Sequence, residues 1–187
     1  MVKTNSNFVE LGISLPKAKM INTNSTNNYY YDFSKLDARH LLILFICAHC
    51  PFVKHLEKAI SDFTEEFENG VQTIAVSSND ILNYPDDAPG KLRLQAKINN
   101  WNFPYLYDED QNFAKDLKAA CTPDFYLFSN LGNNNFSLFY HGQFDESRPS
   151  NEIPVTGKDL RLAVNALVSD CKSPPNQRPS LGCNIKW

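Results

Sequence analysis

The chain has 187 residues, a length that suits one domain with a full hydrophobic core and leaves little for a second. Its net charge is −3, 42% of its residues are apolar and no dense basic run occurs, which excludes the electrostatic footprint of a nucleic-acid-binding protein. The first twenty residues are polar, and the longest apolar run is too short to span a bilayer. We therefore expect a soluble, cytoplasmic protein without a membrane partner.

The first half of the chain alternates between strand and helix patterns. Residues 1–25 predict an irregular arm and residues 27–32 a short strand. Residues 41–46 are an unbroken apolar run, which is typical of a strand buried on both faces. An amphipathic helix is expected over residues 52–67, because apolar side chains recur at spacings of three and four, and a further strand over residues 71–77. Together these segments predict a strand–helix–strand unit.

The second half of the chain predicts shorter elements and a second irregular end. In chain order we expect a loop over residues 83–89, a helix over 91–99, a strand over 104–107 and a short helix over 112–120. A two-stranded hairpin over 125–128 and 137–141, a last helix over 158–168 and a Pro-rich irregular tail over 171–187 follow. The order of elements favours an α/β fold with a central mixed β-sheet flanked by helices.

The motif Cys47-Ala48-His49-Cys50 lies between the buried strand and the amphipathic helix. Its spacing places the two sulfurs one helical turn apart, close enough to form a disulfide bond. Free N–H groups and the positive end of the helix dipole favour a thiolate there, and the thiolate is the attacking species. His49 can assist as a nearby cation when protonated. This setting favours a redox-active thiol pair at Cys47 and Cys50.

Six stretches of the sequence resemble a known superfamily: FICAHCPFVKH (45–55), SSNDILNYPDDAP (77–89), FPYLYDEDQNFAK (103–115), CTPDFYLF (121–128), YHGQFDESRP (140–149) and PSLGCNIKW (179–187). On these motifs the chain is similar to the thioredoxin-like superfamily, in particular its peroxiredoxin-like branch of the alkyl hydroperoxide reductase and thiol-specific antioxidant type. The resemblance implies a thioredoxin-like fold, no cofactor and a cis peptide bond between Thr122 and Pro123. It also implies a groove in which the backbone at these two residues meets a thiol substrate.

The resemblance implies two alternative mechanisms. In thioredoxins the first cysteine attacks and the second resolves, which corresponds to Cys47 and Cys50. In peroxiredoxins the last cysteine of PxxxTxxC attacks peroxide, and Cys50 falls at that place. However, Ile43 and Cys47 replace the proline and threonine of that motif, and the arginine expected shortly before Phe125 is missing. We therefore favour exchange with protein or small-molecule disulfides over peroxidase activity, with an external dithiol as electron donor and Cys47 as the more acidic thiol.

Several further residues are candidates with ordinary alternatives. Cys121 is an extra resolving thiol or a small buried residue. Cys183 is a distant resolving thiol or has no role. Arg148 offers an anion site near the cysteines, or pairs with a neighbouring carboxylate. Asp86 and Asp87 are expected to form a turn or a cap rather than to act as acid and base.

A redox-sensing or metal-holding interaction module is the non-enzymatic alternative. Soft ligands occur close together in and after the motif, at Cys47, His49, Cys50 and His55. A zinc site normally needs a second ligand pair, which Cys121 and His141 would have to supply. We therefore assign no metal ligand.

Overall fold

The computed structural model describes residues 2–25 and 29–187. Over these ranges the strands are β1 (Lys3–Asn5), β2 (Lys19–Asn22), β3 (Tyr30–Asp32), β4 (His40–Phe45), β5 (Gln72–Ser77), β6 (Tyr105–Tyr107), β7 (Cys121–Thr122), β8 (Asp124–Asn130), β9 (Phe136–Gly142) and β10 (Leu181–Asn184). The α-helices are α1 (Pro51–Phe67), α2 (Pro89–Ile98), α3 (Asn112–Asp116) and α4 (Lys158–Val168). Short 3-10 helices occur at Phe33–Lys35 and Pro85–Asp87.

A seven-stranded mixed sheet forms the centre of the molecule, in the order β3-β2-β6-β5-β4-β8-β9. β4 is an interior strand that pairs parallel to β5 and antiparallel to β8. All six of its residues are buried, because apolar clusters cover both faces of the sheet. Residues of α1, α2 and α4 pack in one cluster and residues of α3 in the other. The expected α/β fold and the buried strand before the cysteine motif are confirmed.

The amphipathic helix is present as α1. It buries the expected apolar stripe against the sheet, through Phe52, Val53, Leu56, Ile60 and Phe63. Each such side chain contributes about 1.5–3 kcal/mol when fully buried. Pro51 suits the first helical position, since its missing N–H would lack a helical partner there. Cys50 precedes it as the N-cap, and the Cys50 carbonyl accepts from the Lys54 amide at 3.0 Å. The sequence therefore places the second motif cysteine at the start of a well-anchored helix.

The two chain ends differ most from expectation. The prediction of irregular structure over residues 1–25 and 171–187 is wrong where β1, β2 and β10 occur. β1, β10 and β7 form a separate antiparallel sheet, and β2 pairs with β3 and β6. These strands have three or four residues and distant partners, so no local pattern reveals them. Of the expected strand at 27–32, residues 27 and 28 lie outside the described residues.

Some element bounds also differ from the sequence pattern. α3 is shorter than the helix expected over residues 112–120 and stops at Asp116. The expected loop at 83–89 contains the 3-10 helix Pro85–Asp87. In the part of the chain that the structure describes, no helix combines the length and apolar character needed to cross a membrane.

Candidate active site

Cys47 and Cys50 lie on the loop that joins β4 to α1. Their exposed fractions are 1% and 0%, and both are free thiols. Each of the two thiols affects the pKa of the other. The buried strand before them is interior to the sheet, as expected. That the two sulfurs lie within bonding reach stays a prediction.

The peptide bond between Thr122 and Pro123 is cis, as the resemblance implied. The Thr122 hydroxyl oxygen lies 3.4 Å from Cys47 Sγ. The Cys50 thiol lies 3.2 Å from the Thr122 carbonyl oxygen, which is placed to accept a hydrogen bond from it. Thr122 therefore contacts both motif cysteines, one through its side chain and the other through its backbone.

The tail brings a third thiol to the site. β10 pairs antiparallel with β7, with Cys183 opposite Thr122. As a result, Cys183 Sγ lies 3.0 Å from Cys50 Sγ. Thr122 and Pro123 are both buried in this conformation, and β10 occupies that edge. A substrate groove at these two residues stays a prediction.

The side-chain carboxylate of Asp87 accepts hydrogen bonds from the backbone of the cysteine loop. Its Oδ1 accepts from the Ala48 and His49 amides at 2.9 and 3.1 Å. Its Oδ2 accepts from Asn79 Nδ2 at 2.7 Å and lies 2.5 Å from His49 Nδ1. A carboxylate only accepts, so His49 Nδ1 carries the proton. The His49 side chain is 17% exposed and stacks on Tyr84, so it connects the buried thiols with the surface.

The three thiols have unequal acidities. The pKa of Cys50 is lowered to about 5, first by its hydrogen bond with Cys47 and further by its hydrogen bond with Cys183, against the opposing effect of burial. The pKa of Cys47 is raised, first by that same hydrogen bond and then by burial and the Asp87 carboxylate. Burial and the hydrogen bond with Cys50 raise the pKa of Cys183 to about 12.

This order of acidity reverses the expectation that Cys47 is the more acidic thiol. The expectation rested on the position of Cys47 nearer the helix terminus and on the missing N–H of Pro51. The hydrogen bond between the two motif cysteines is the first cause of both shifts. The contact with Cys183 lowers the Cys50 pKa further, and the negative charge of Asp87 raises the Cys47 pKa further. Of the two motif thiols, Cys50 is therefore the more acidic.

Two other candidates lie outside the thiol cluster. Cys121 is buried, its Sγ lies 3.9 Å from the Pro123 carbonyl oxygen, and burial raises its pKa. Arg148 donates to the carbonyl oxygens of Asp145 and Ser147 and to Gln143, so it supports a loop rather than an anion site at the cysteines. It pairs with the backbone of Asp145 and not with the neighbouring carboxylates considered from the sequence.

The residues considered from the sequence as metal ligands do not lie together in the structure. His55 contacts Ser147 and His141 contacts Asp124, each away from the motif. Within residues 2–25 and 29–187, ligand atoms that lie within 4.8 Å of one another occur instead at Cys47, His49 and Asp87. Both Asp87 oxygens already accept two hydrogen bonds, so an ion could bind only by displacing these donors.

Comparison with known proteins shows which solved structures share this fold. An uncharacterized conserved protein from Geobacillus kaustophilus has 39% identity and a TM-score of 0.93, over 100% of this chain and 97% of its own. A hypothetical protein from Sinorhizobium meliloti 1021 has 36% identity and a TM-score of 0.90, over 98% of each chain. A secreted disulfide oxidoreductase from Mycobacterium tuberculosis shares the fold at 15% identity and a TM-score of 0.57, over 80% and 96%.

The fold and the comparisons define a protein of the thioredoxin-like superfamily, in its peroxiredoxin-like branch. The AhpC/TSA family model matches residues 13–134, and the chain belongs to this family. No curated protein sequence matches it significantly. Family membership supports redox chemistry at cysteine thiols.

Proposed function

We propose that the chain is a thiol–disulfide oxidoreductase in which Cys47 and Cys50 alternate between dithiol and disulfide. The observation that carries this proposal is the placement of both thiols against Thr122 at the start of α1, with Cys47 Sγ 3.4 Å from its hydroxyl oxygen and Cys50 Sγ 3.2 Å from its carbonyl oxygen. The lowered pKa of Cys50 supports it as the attacking thiol. Its substrates are protein or small-molecule disulfides, and an external dithiol returns it to the reduced state. The reducing cytoplasm suits such a cycle.

The low pKa of Cys50 sets the order of the two steps. The Cys50 thiolate attacks one substrate sulfur, forms a mixed disulfide and releases the other substrate sulfur as a thiolate. That thiolate accepts the proton of Cys47. Cys47 then attacks Cys50 Sγ, closes the Cys47–Cys50 disulfide and releases the second substrate thiol.

Formation of the mixed disulfide also prepares Cys47 for its attack. The main cause of the raised Cys47 pKa is its hydrogen bond to Cys50, and this interaction ends when Cys50 loses its charge. His49 Nδ1 lies 3.9 Å from Cys47 Sγ, but its proton is donated to Asp87 at 2.5 Å.

The test is the release of a coloured thiolate from 5,5′-dithiobis(2-nitrobenzoic acid) by the reduced protein. All variants carry Cys171→Ser, because that exposed thiol would react by itself. We expect two thiolates per chain in this background and one in a Cys47→Ser, Cys183→Ser variant, which stops at the mixed disulfide. Cys50→Ser is expected to remain at background. Reaction of Cys50→Ser at the rate of its parent contradicts the proposal.

Peroxidase activity at Cys50 is the second candidate, favoured by the low Cys50 pKa and the enclosure of the site beneath β10. A small peroxide needs less room than a protein disulfide. In this reaction the thiolate attacks a peroxide oxygen, the O–O bond breaks with release of an alcohol or water, and Cys50 becomes a sulfenic acid. The Cys47 thiol then attacks the Cys50 sulfur, forms the disulfide and releases water. Hydrogen peroxide consumption with dithiothreitol as donor tests it. Cys50-dependent consumption that outpaces disulfide exchange places peroxidase activity first.

A further inference from the structure

The tail strand occupies the place where a thiol substrate is expected. The resemblance implies that a substrate meets the backbone at Thr122 beside the cysteine pair. In the structure β10 pairs with β7 at this position, and its Cys183 lies opposite Thr122. Cys183 Sγ is 3.0 Å from Cys50 Sγ. The chain therefore presents its own cysteine to Cys50 in the manner of an extended thiol substrate.

The contact between β10 and Thr122 is specifically accommodated by Gly182. A Cβ atom at this position would lie 1.9 Å from the Thr122 carbonyl oxygen and 3.0 Å from the Pro123 nitrogen. Only glycine allows the backbones to come this close. The flanking residues hold the strand in register, since the Ile185 amide donates to the Ala120 carbonyl and the Lys186 amide to Asn79 Oδ1.

We propose that Cys183 is the third thiol of the redox centre: it takes over the disulfide by attacking Cys50, and the resulting Cys50–Cys183 bond locks β10 over the Thr122 edge. This proposal rests on the proposed function, because it starts from the Cys47–Cys50 disulfide. A disulfide has an S–S length of about 2.05 Å, so the two sulfurs need to approach by about 1 Å.

The exchange is balanced without any added oxidant or reductant. Cys183 loses its proton and its thiolate attacks Cys50 Sγ, which forms the Cys50–Cys183 bond and breaks the Cys47–Cys50 bond. The electron pair leaves on Cys47, and Cys47 takes up a proton. One disulfide replaces another, so the redox state of the chain is unchanged.

The acidity of Cys183 permits this step in the oxidised state. After burial, the hydrogen bond to Cys50 and the negative charge on Cys50 are the next causes of its raised pKa. Both disappear once Cys50 is bonded to Cys47. Lys186 acts in the opposite direction and lowers the pKa of Cys183. Oxidation of the motif thus removes two of the causes of the raised Cys183 pKa.

Disulfide mapping of the full chain tests the proposal. The protein is oxidised with glutathione disulfide, trapped by acid and alkylation, and digested with trypsin. Cys47 and Cys50 share the peptide 40–54, whereas Cys183 is in 173–186, since Arg178 precedes a proline and resists cleavage. We expect the two peptides to be cross-linked in the parent and in Cys47→Ser, and separate in Cys50→Ser. Cys171→Ser is the matched control and retains the cross-link.

Two results overturn the proposal: an oxidised parent with only the disulfide inside peptide 40–54, or an equal yield of cross-link in Cys50→Ser. Either result leaves the proposed function standing, since that function is tested separately by the reaction of Cys50→Ser with 5,5′-dithiobis(2-nitrobenzoic acid). A second measurement tests the lock. Amide hydrogen exchange in β10 is expected to be about 30-fold slower in the oxidised than in the reduced chain. Equal exchange rates in a cross-linked chain contradict the locking step.

Discussion

Cys50 has a thiol neighbour on each side, and the two sides are built in different ways. Cys47 is three residues away on the same loop, and the buried carboxylate of Asp87 fixes the backbone between them. Cys183 is 133 residues further along the chain and is held by strand pairing and by the close approach of Gly182. The loop side reaches solvent through His49, whereas the tail side is buried. Each side can therefore be disrupted without direct change to the other.

The largest effect on stability is expected on the loop side. Asp87→Ala leaves four hydrogen-bond donors without their acceptor, and unsatisfied buried donors are costly. We expect the free energy of unfolding to fall by roughly 3 kcal/mol, measured by urea denaturation. Asp86→Ala is the matched control, because the adjacent carboxylate is exposed, and it should change stability by less than about 0.5 kcal/mol. Equal effects of the two substitutions would show that Asp87 does not anchor the loop.

A somewhat smaller effect is expected on the tail side. Gly182→Ala puts a methyl group into the Thr122 carbonyl and should lower the free energy of unfolding by about 2 kcal/mol, as overpacking does. Gly90→Ala is the control, because its Cβ in α2 meets nothing within 4 Å and should stabilise the chain by about 0.5 kcal/mol. Thermal or urea unfolding measures both. A neutral Gly182→Ala would mean that β10 is not held closely against β7.

The smallest effect concerns the acidity of Cys50 and compares the two sides directly. Cys47 lowers the Cys50 pKa more than Cys183 does, so Cys47→Ala should raise this pKa more than Cys183→Ala. The thiolate absorbance in the ultraviolet reports the titration without any need for reagent access. In the parent its midpoint is expected near pH 5, and disulfide exchange should decline as the pH falls through this value. The opposite order of the two variants would assign the dominant donor to the tail.

The sequence predicts the loop side far better than the tail side. The apolar run before Cys47, the helical periodicity after Cys50 and the strand-to-helix context are all local patterns, and each has its counterpart in β4, α1 and their connection. The roles of Asp87 and Gly182 depend on burial and on pairing between distant segments. The prediction of the more acidic thiol rested on the helix terminus, which the sequence shows. It missed the direction of the hydrogen bond between Cys47 and Cys50, and the smaller contribution of Cys183, because both depend on the three-dimensional arrangement.

The separation between Cys50 and Cys183 has a consequence for biosynthesis. At ribosomal rates, the 133 residues between them take on the order of ten seconds to translate. During this interval β4, α1 and β5 can assemble, because their contacts are local, whereas the sheet of β1, β10 and β7 must wait for the tail. The nascent chain therefore carries an uncovered thiol pair before the mature, enclosed centre exists. Its exposure to cellular oxidants is greatest before release from the ribosome.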